Sequence, residues 1–230
     1  MTDSRNIEKY ESLVNGRQTI ESTLGENLIE HLNAEFSLGT IYDYKSTIEW
    51  IKSTFLYIRS QSNPSHYLVP SSDKVDQSIQ DMIVLCTRQL EENRLIGQVS
   101  GKTALDTDKF YATGFGKAMT KYYVKFGTMK RLIALIDKYQ SSLILFNDTM
   151  IMIDLLKALS QAEEFEEVRF QIGEKGFLNE MILSTKSSLA HKVKYPLDEK
   201  MKLVWHKIYL YIQIYLGGID LSQEGRSKPG

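Results

Sequence analysis

The chain has 230 residues, of which 42% are hydrophobic and 25% charged, and its formal net charge is −1. This composition is typical of a soluble globular protein and excludes wholesale disorder. A free-standing nucleic-acid-binding domain is usually basic overall, so contact with nucleic acid would need a local basic patch or the rest of a larger protein.

Cysteine content and the longest apolar stretch bear on the compartment. Cys86 is the single cysteine, so an internal disulfide is excluded and a reducing compartment, cytosol or nucleus, is expected. The most apolar stretch, residues 208–219, is roughly half of the ~20 residues that cross a bilayer. No membrane contact is expected.

The first part of the chain is predicted to be a series of helices. Apolar spacing predicts helices over residues 6–15 and 26–36, and Asp43 is a candidate N-cap for one long helix over 44–59 that Asn63-Pro64 ends. The clearest helical pattern follows, with apolar residues at spacings of four, three, one, three and four: Val75, Ile79, Met82, Ile83, Cys86 and Leu90.

Two short strands come next, over residues 95–99 and 110–113, around a polar turn that contains Gly101. Two further helices, 114–123 and 128–139, are predicted on either side of Gly127. Helices followed by a small hairpin indicate a winged-helix domain.

From Asp148 onward the pattern is helical again, with candidate helices from Asp148, over 173–181, and from Pro196 to Gly217-Gly218. The last helix is predicted to have an apolar face of Met201, Trp205, Ile208, Ile212 and Tyr215 opposite a polar face of Lys202, His206 and Gln213. The expected fold class is mainly α with a small β-hairpin wing, a winged-helix domain followed by the start of a helical bundle domain.

Motifs for catalysis and metal binding are weak in this sequence. Residues 100–103, Ser-Gly-Lys-Thr, resemble the end of a phosphate-binding loop, but the loop's first glycine would fall at Ile96, so a wing turn is preferred. The four histidines are scattered, and the acidic run at Glu163, Glu164, Glu166 and Glu167 is interpreted as a solvated face. No catalytic, cofactor or metal site is therefore predicted in this chain.

One stretch carries basic charge alone. Residues 109–136 contain five lysines and one arginine with no Asp or Glu, interleaved with aromatic rings. Cations neutralise phosphates, and exposed rings stack on bases. Lys117 and Lys121 lie one helical turn apart and can share a face. The candidate nucleic-acid contacts here are Lys117, Lys121, Lys130 and Arg131; the alternative is a solvated basic face over an aromatic core.

Several segments resemble one family. Residues 20–24, 27–35, 38–41, 49–59 and 63–67 are similar to the region after the second motor domain of Ski-type superfamily-two helicases. Residues 112–123 resemble the family signature T-x-x-G-x-x-M-S-x-Y-Y, with Thr120 in place of the usual serine, and residues 164–169 with Glu174 resemble the start of a Sec-type helical domain. Residues 170–175 and 212–218 are most similar to the meiotic crossover-promoting DNA helicases.

The resemblance implies a domain order. Residues 1–36 would be the tail of the second motor domain and a connector helix, 37–139 the winged-helix domain, and 140–230 the first part of the helical domain. The phosphate loop and the D-E-x-H box of the family are expected before Met1, with ATP and magnesium, so this segment is expected to be inactive alone. The family's long ratchet helix is expected after Gly230.

The resemblance also implies a role. The parent would be a nuclear ATP-dependent DNA helicase of meiotic recombination, in which this segment braces the motor domains and helps to hold single-stranded or branched DNA, with recombination proteins as further partners. Arg169 matches a family arginine, which is interpreted either as a DNA contact or as a salt bridge to a glutamate. The alternatives are a protein-interaction winged helix and the same segment of an RNA-remodelling helicase.

Overall fold

The computed structural model describes residues 6–16, 19–99, 109–141, 147–183, 193–197 and 199–219. It divides into two compact units, Met1–Lys121 and Tyr122–Gly230. Most of the described residues are helical, and one two-stranded antiparallel sheet is present among them. The predicted mainly α fold with a small hairpin is confirmed.

Unit 1 is a set of helices with the hairpin near its end. Its elements in chain order are α1 (Ile7–Val14), α2 (Leu28–Leu38), α3 (Tyr44–Lys52), α4 (Phe55–Ser62), α5 (Val75–Glu92), β1 (Ile96–Val99), β2 (Lys109–Ala112) and α6 (Gly114–Lys121). In the hairpin, Ile96 pairs with Ala112 and Val99 with Lys109. The predicted helix over 75–90 and both strands are confirmed within one or two residues.

Helix α2 packs against α5, α6 and β2. Its buried residues Leu28, Leu32 and Phe36 recur every four positions, which places them on one stripe. Burial of each such side chain stabilises the fold by about 1.5–3 kcal/mol. The Phe36 ring meets the Phe110 ring of β2 edge-on at 5.7 Å. The helix ends at Gly39, whose φ of 77° is the left-handed conformation that glycine adopts without strain.

The single helix predicted over 44–59 is wrong, because the chain breaks it into α3 and α4. Asp43 is the N-cap of α3, as predicted, and its carboxylate accepts a hydrogen bond from the Ser46 N–H at 2.7 Å. After Lys52, the hydroxyls of Ser53 and Thr54 donate to main-chain carbonyls three residues earlier, each at 2.6 Å. Thr54 then takes an extended conformation, and α4 begins as a new helix.

A polar cluster centred on Glu21 ties the segment before α2 to the end of α4. The Arg59 guanidinium donates to both carboxylate oxygens of Glu21, at 2.8 and 3.1 Å. Asn63 and the Tyr67 hydroxyl donate to the same carboxylate at 2.8 Å each. The hydrogen bonds from Arg59 and Asn63 lower the pKa of Glu21 from 4.5 to about 2.

All regular secondary structure in the described residues of unit 2 is helical. It contains α7 (Phe126–Gln140), α8 (Asp148–Ser160), α9 (Glu174–Leu183) and α10 (Val204–Leu216), with a single 3₁₀ turn at Glu163–Phe165. Helix α8 packs against both α7 and α10. A second apolar cluster joins α9, α10 and the segments before α10: Leu178, Val193, Met201, Leu210 and Ile214.

Two predicted boundaries in unit 2 are wrong. Gly127 does not separate two helices but lies in the first turn of α7. The last helix starts at Val204 rather than at Pro196. The predicted end at Gly217-Gly218 is confirmed.

The predicted facing of the last helix is wrong at three positions, whereas Met201 and Ile208 are buried as predicted. His206 and Gln213, assigned to the polar face, are buried, whereas Tyr215, assigned to the apolar face, is 86% exposed. The Gln213 amide explains part of this, because it donates to the Tyr195 carbonyl at 3.0 Å and accepts from the Tyr195 N–H at 2.9 Å. A buried amide with both groups paired costs little, so α10 can turn this face inward.

We expect the Glu21 cluster to make unit 1 sensitive to acid. Because the folded pKa lies below the unfolded value, the ionised carboxylate stabilises the fold above about pH 4.5 and this contribution is lost as the pH falls towards 2. Glu21→Gln should unfold more easily at pH 7 and lose less stability between pH 5 and pH 3, measured by urea unfolding.

The matched control for this prediction is Glu26→Gln, which changes an exposed glutamate of the same segment. It should follow the unmodified chain at every pH. An acid dependence identical in all three proteins would show that the Glu21 cluster contributes nothing to folding.

Candidate nucleic-acid interface

Several members of the family-like signature at 112–123 position α6 within unit 1. At the start of the helix, the Thr113 hydroxyl donates to the carbonyls of Arg94 at 2.6 Å and Leu95 at 3.0 Å. The Met119 side chain is buried. The Thr113 and Met119 contacts therefore fix α6 against the hairpin and the rest of unit 1.

Gly116 allows an unusually close approach of α6 to the chain before β1. A Cβ at this position would lie 2.2 Å from the Leu95 carbonyl oxygen, far inside van der Waals contact. The buried Asn33 of α2 donates to the Gly116 carbonyl at 2.9 Å and to the Thr120 hydroxyl at 3.0 Å. A serine hydroxyl at position 120 could accept the same bond, so the departure from the family signature leaves this contact available.

With one side of α6 packed in this way, Lys117 and Lys121 lie on its solvent side. Both side chains are exposed, as the sequence predicted for a shared basic face. They belong to unit 1. Lys130, Arg131 and Arg169 are exposed residues of unit 2. Their role as nucleic-acid contacts stays a prediction.

Two of the predicted residues of unit 2 come together. Arg131 on α7 and Arg169, which follows the turn Glu163–Phe165, line the same hollow of about 400 Å³. The salt bridge considered for Arg169 is not its contact here: its guanidinium donates to the main-chain carbonyls of Glu166 and Val168. Lys130 does not line the hollow.

Half of the acidic run has a structural role that the sequence did not predict. The Glu164 carboxylate accepts from the Lys125 N–H at 2.7 Å and from the Thr128 hydroxyl at 2.5 Å, and Glu163 accepts from the Gly127 N–H at 3.0 Å. Burial opposes ionisation of Glu164, but these hydrogen bonds outweigh it and lower the pKa of its carboxyl. The run therefore caps the N-terminus of α7, where negative charge is favoured.

Other candidate chemistry is limited. The part of the chain that the structure describes holds no group of His, Cys, Asp and Glu that could bind a metal ion. Burial raises the pKa of the Cys86 thiol to about 11, so it stays protonated near neutral pH, in keeping with a structural role. The loop-like residues 100–103 lie outside the described residues.

Two family models together match most of this chain. A winged helix-turn-helix domain model matches residues 21–96, and a Sec63 Brl domain model matches residues 112–225. The chain is 33% identical over 222 residues to the probable ATP-dependent DNA helicase HFM1 of Xenopus tropicalis, covering 95% of this chain and 15% of that protein. The chain belongs to the Ski-type helicase family. The predicted order, winged helix then Sec-type helical domain, is thereby confirmed.

The chain is also similar to a second DNA helicase and to a protein with a different name. It is 32% identical over 237 residues to the ATP-dependent DNA helicase MER3 of Saccharomyces cerevisiae, covering 99% of this chain and 18% of the relative. It is 27% identical over 174 residues to the activating signal cointegrator 1 complex subunit 3 of Gallus gallus, covering 74% of this chain and 7% of the relative. The chain thus spans less than a fifth of these relatives, and the predicted boundaries at 36/37 and 139/140 stay predictions.

Within the described residues, every helix is too short or too polar to span a membrane.

We expect Gly116 and Gly114 to respond differently to alanine. Gly116→Ala should destabilise unit 1 by about 1–3 kcal/mol, because the new methyl group has no room beside the Leu95 carbonyl. Gly114→Ala, two residues earlier where nothing lies within 4 Å, should be neutral or more stable by about 0.4–1 kcal/mol. Urea unfolding measures both, and equal stabilities would contradict the packing described for α6.

Proposed function

We propose that this chain is a non-catalytic, DNA-engaging segment of an ATP-dependent DNA helicase that acts in meiotic recombination and crossover formation in the nucleus. The observation that carries the proposal is the two-sided character of α6. One side is packed against unit 1, and the other presents Lys117 and Lys121 to solvent in a stretch without acidic residues. These two lysines can bind backbone phosphates of a nucleic acid.

The relatives support the catalytic part of the proposal for the parent protein. HFM1 and MER3 are both named as ATP-dependent DNA helicases, and the aligned regions cover nearly the whole of this chain. The resemblance of residues 170–175 and 212–218 to the meiotic group supports the meiotic role. ATP and magnesium belong, in this proposal, to the motor domains of the parent.

A bracing role against the motor domains is supported by the surface of α4. Phe55 and Ile58 are 49% and 55% exposed, and they lie three residues apart on one helix. Exposed apolar residues that share a face are typical of surfaces that a partner covers. The motor domains of the parent are the proposed partner, with recombination proteins as further partners of the whole helicase.

Two other functions have observations in their favour. The net charge of −1 and the apolar residues on α4 would also suit a protein-interaction module. The same segment in an RNA-remodelling helicase is the other alternative, because lysine contacts to phosphates do not distinguish DNA from RNA. Binding assays with single-stranded DNA and RNA of the same sequence separate these functions from the proposal.

The DNA contact predicts a change in salt dependence. Lys117→Gln with Lys121→Gln should weaken binding of the chain to oligo(dT) and flatten the slope of log K against log[salt] by about 1.4, because each lost single-strand phosphate contact removes about 0.7. Fluorescence anisotropy at four salt concentrations measures the slope.

The control carries Lys9→Gln and Lys74→Gln, which remove two exposed lysines from other parts of unit 1. This variant has the same net charge as the test variant, so it should keep the slope of the unmodified chain. If the slope of log K against log[salt] flattens equally in the two variants, the effect comes from net charge and α6 is not the contact.

The non-catalytic character has its own test. The purified chain should hydrolyse ATP no faster than buffer, with or without single-stranded DNA. A DNA-stimulated rate above background would contradict the proposal and would turn attention to residues 100–103.

A further inference from the structure

The hollow in unit 2 combines cationic and aromatic groups. It is lined by Arg131 from α7, by Glu166 and Arg169 from the segment after α8, and by Trp205 from α10. Its volume of about 400 Å³ lies in the range of roughly 300–1,000 Å³ typical of small-ligand sites. The charged groups among its described lining residues are two guanidinium groups and one carboxylate, so the net charge of the lining is positive.

The two arginines retain hydrogen-bonding capacity. Arg131 is exposed and makes no hydrogen bond or ion pair with the described residues. Among the described residues, Arg169 uses one nitrogen, Nη1, for the carbonyls of Glu166 and Val168, and its Nε and Nη2 groups make no hydrogen bond there. A guanidinium presents its N–H groups as a planar fork that suits phosphate oxygens.

The position of Arg169 is fixed by a buried lysine. The Lys207 ammonium donates to the Arg169 carbonyl at 3.0 Å and to the Glu174 carboxylate at 2.7 Å. Both side chains of this ion pair are at least 85% buried. The main chain of Arg169 is therefore held to α10, so little ordering remains when a ligand binds.

Trp205 supplies an aromatic surface at the same hollow. Its indole is half-buried and meets the rings of His206 and Tyr209 edge-on, at centroid distances of 4.0 and 6.4 Å. These contacts hold the ring in place on one side. The part that borders the hollow can stack on a base, and stacking of this kind contributes about 1–3 kcal/mol per base.

From this arrangement we propose that the hollow binds one nucleotide of single-stranded DNA, with its phosphate between Arg131 and Arg169 and its base against Trp205. The inference rests on the proposed function, because it adds a second contact site for single-stranded DNA. It adds a base-stacking residue outside the basic stretch of residues 109–136.

Fluorescence tests the stacking directly. The chain has two tryptophans, so Trp50→Phe leaves Trp205 as the only indole. Titration of this variant with oligo(dT) should quench its emission in a saturable way. Adding Arg131→Gln and Arg169→Gln should weaken binding, flatten the salt slope by about 0.7, because one phosphate contact is lost, and abolish most of the quenching. Replacing both arginines with lysine should restore part of the affinity.

Trp205→Ala gives the energetic measure. It should weaken binding about 5- to 150-fold, the equivalent of one lost stacking contact. Thermal unfolding of each variant checks the fold, and Lys157→Gln, an exposed change on α8, is the control that should bind and melt like the unmodified chain.

The outcomes separate this inference from the proposed function. One possible result is that DNA binding depends on Lys117 and Lys121 while Trp205 is not quenched and the arginine changes have no effect. That result overturns nucleotide binding in the hollow and leaves the proposed function standing. Absence of DNA binding by the unmodified chain overturns both. Tighter binding of oligo(U) than of oligo(dT), with the same quenching, would overturn DNA as the ligand.

Discussion

The close approach of α6 to the Leu95 carbonyl is the contact on which the basic surface of unit 1 depends. It is possible only because Gly116 has no Cβ, and the Asn33 amide then fills the space with hydrogen bonds to the Gly116 carbonyl and the Thr120 hydroxyl. A helix fixed on this side has to present Lys117 and Lys121 on the other. Thr113, Gly116, Met119 and Thr120 of the signature that resembles the helicase family are thus packing residues, and the two lysines proposed to contact DNA alternate with them along the helix.

A similar principle operates in unit 2, where paired polar groups are turned inward. Lys207 can be buried because its ammonium donates a hydrogen bond to the Glu174 carboxylate at 2.7 Å. The Tyr211 hydroxyl donates to the same carboxylate at 2.8 Å. Burial and this hydrogen bond raise the pKa of Tyr211 to about 12. Buried ion pairs contribute little net stability but are costly to break. Their effect here is to fix α10 and the segment that carries Arg169 in one relative position.

Charge distribution reconciles a net charge of −1 with a DNA-engaging role. Glu163 and Glu164 are engaged by the N–H groups and hydroxyl at the start of α7, and Glu21 is paired with Arg59. Acidic side chains committed to such internal partners project less negative charge toward a strand. The lysines of α6 and the arginines of the hollow, by contrast, are exposed to solvent.

The sequence by itself determined the features that rest on neighbours along the chain. The four-residue apolar spacing of α5, the N-cap at Asp43, the hairpin and the lysine face of α6 follow from local periodicity and local hydrogen bonds. The break in the helix over 44–59 also rests on local hydroxyl contacts, which apolar spacing does not reveal. Only the tertiary structure decided that Gln213 faces inward, that Glu164 caps α7 and that Arg131 meets Arg169 at one hollow. All three depend on a partner distant in sequence, such as Tyr195 for Gln213 or Thr128 for Glu164. Periodicity carries no information about such partners, because a polar residue is placed inside or outside according to whether a remote group satisfies it.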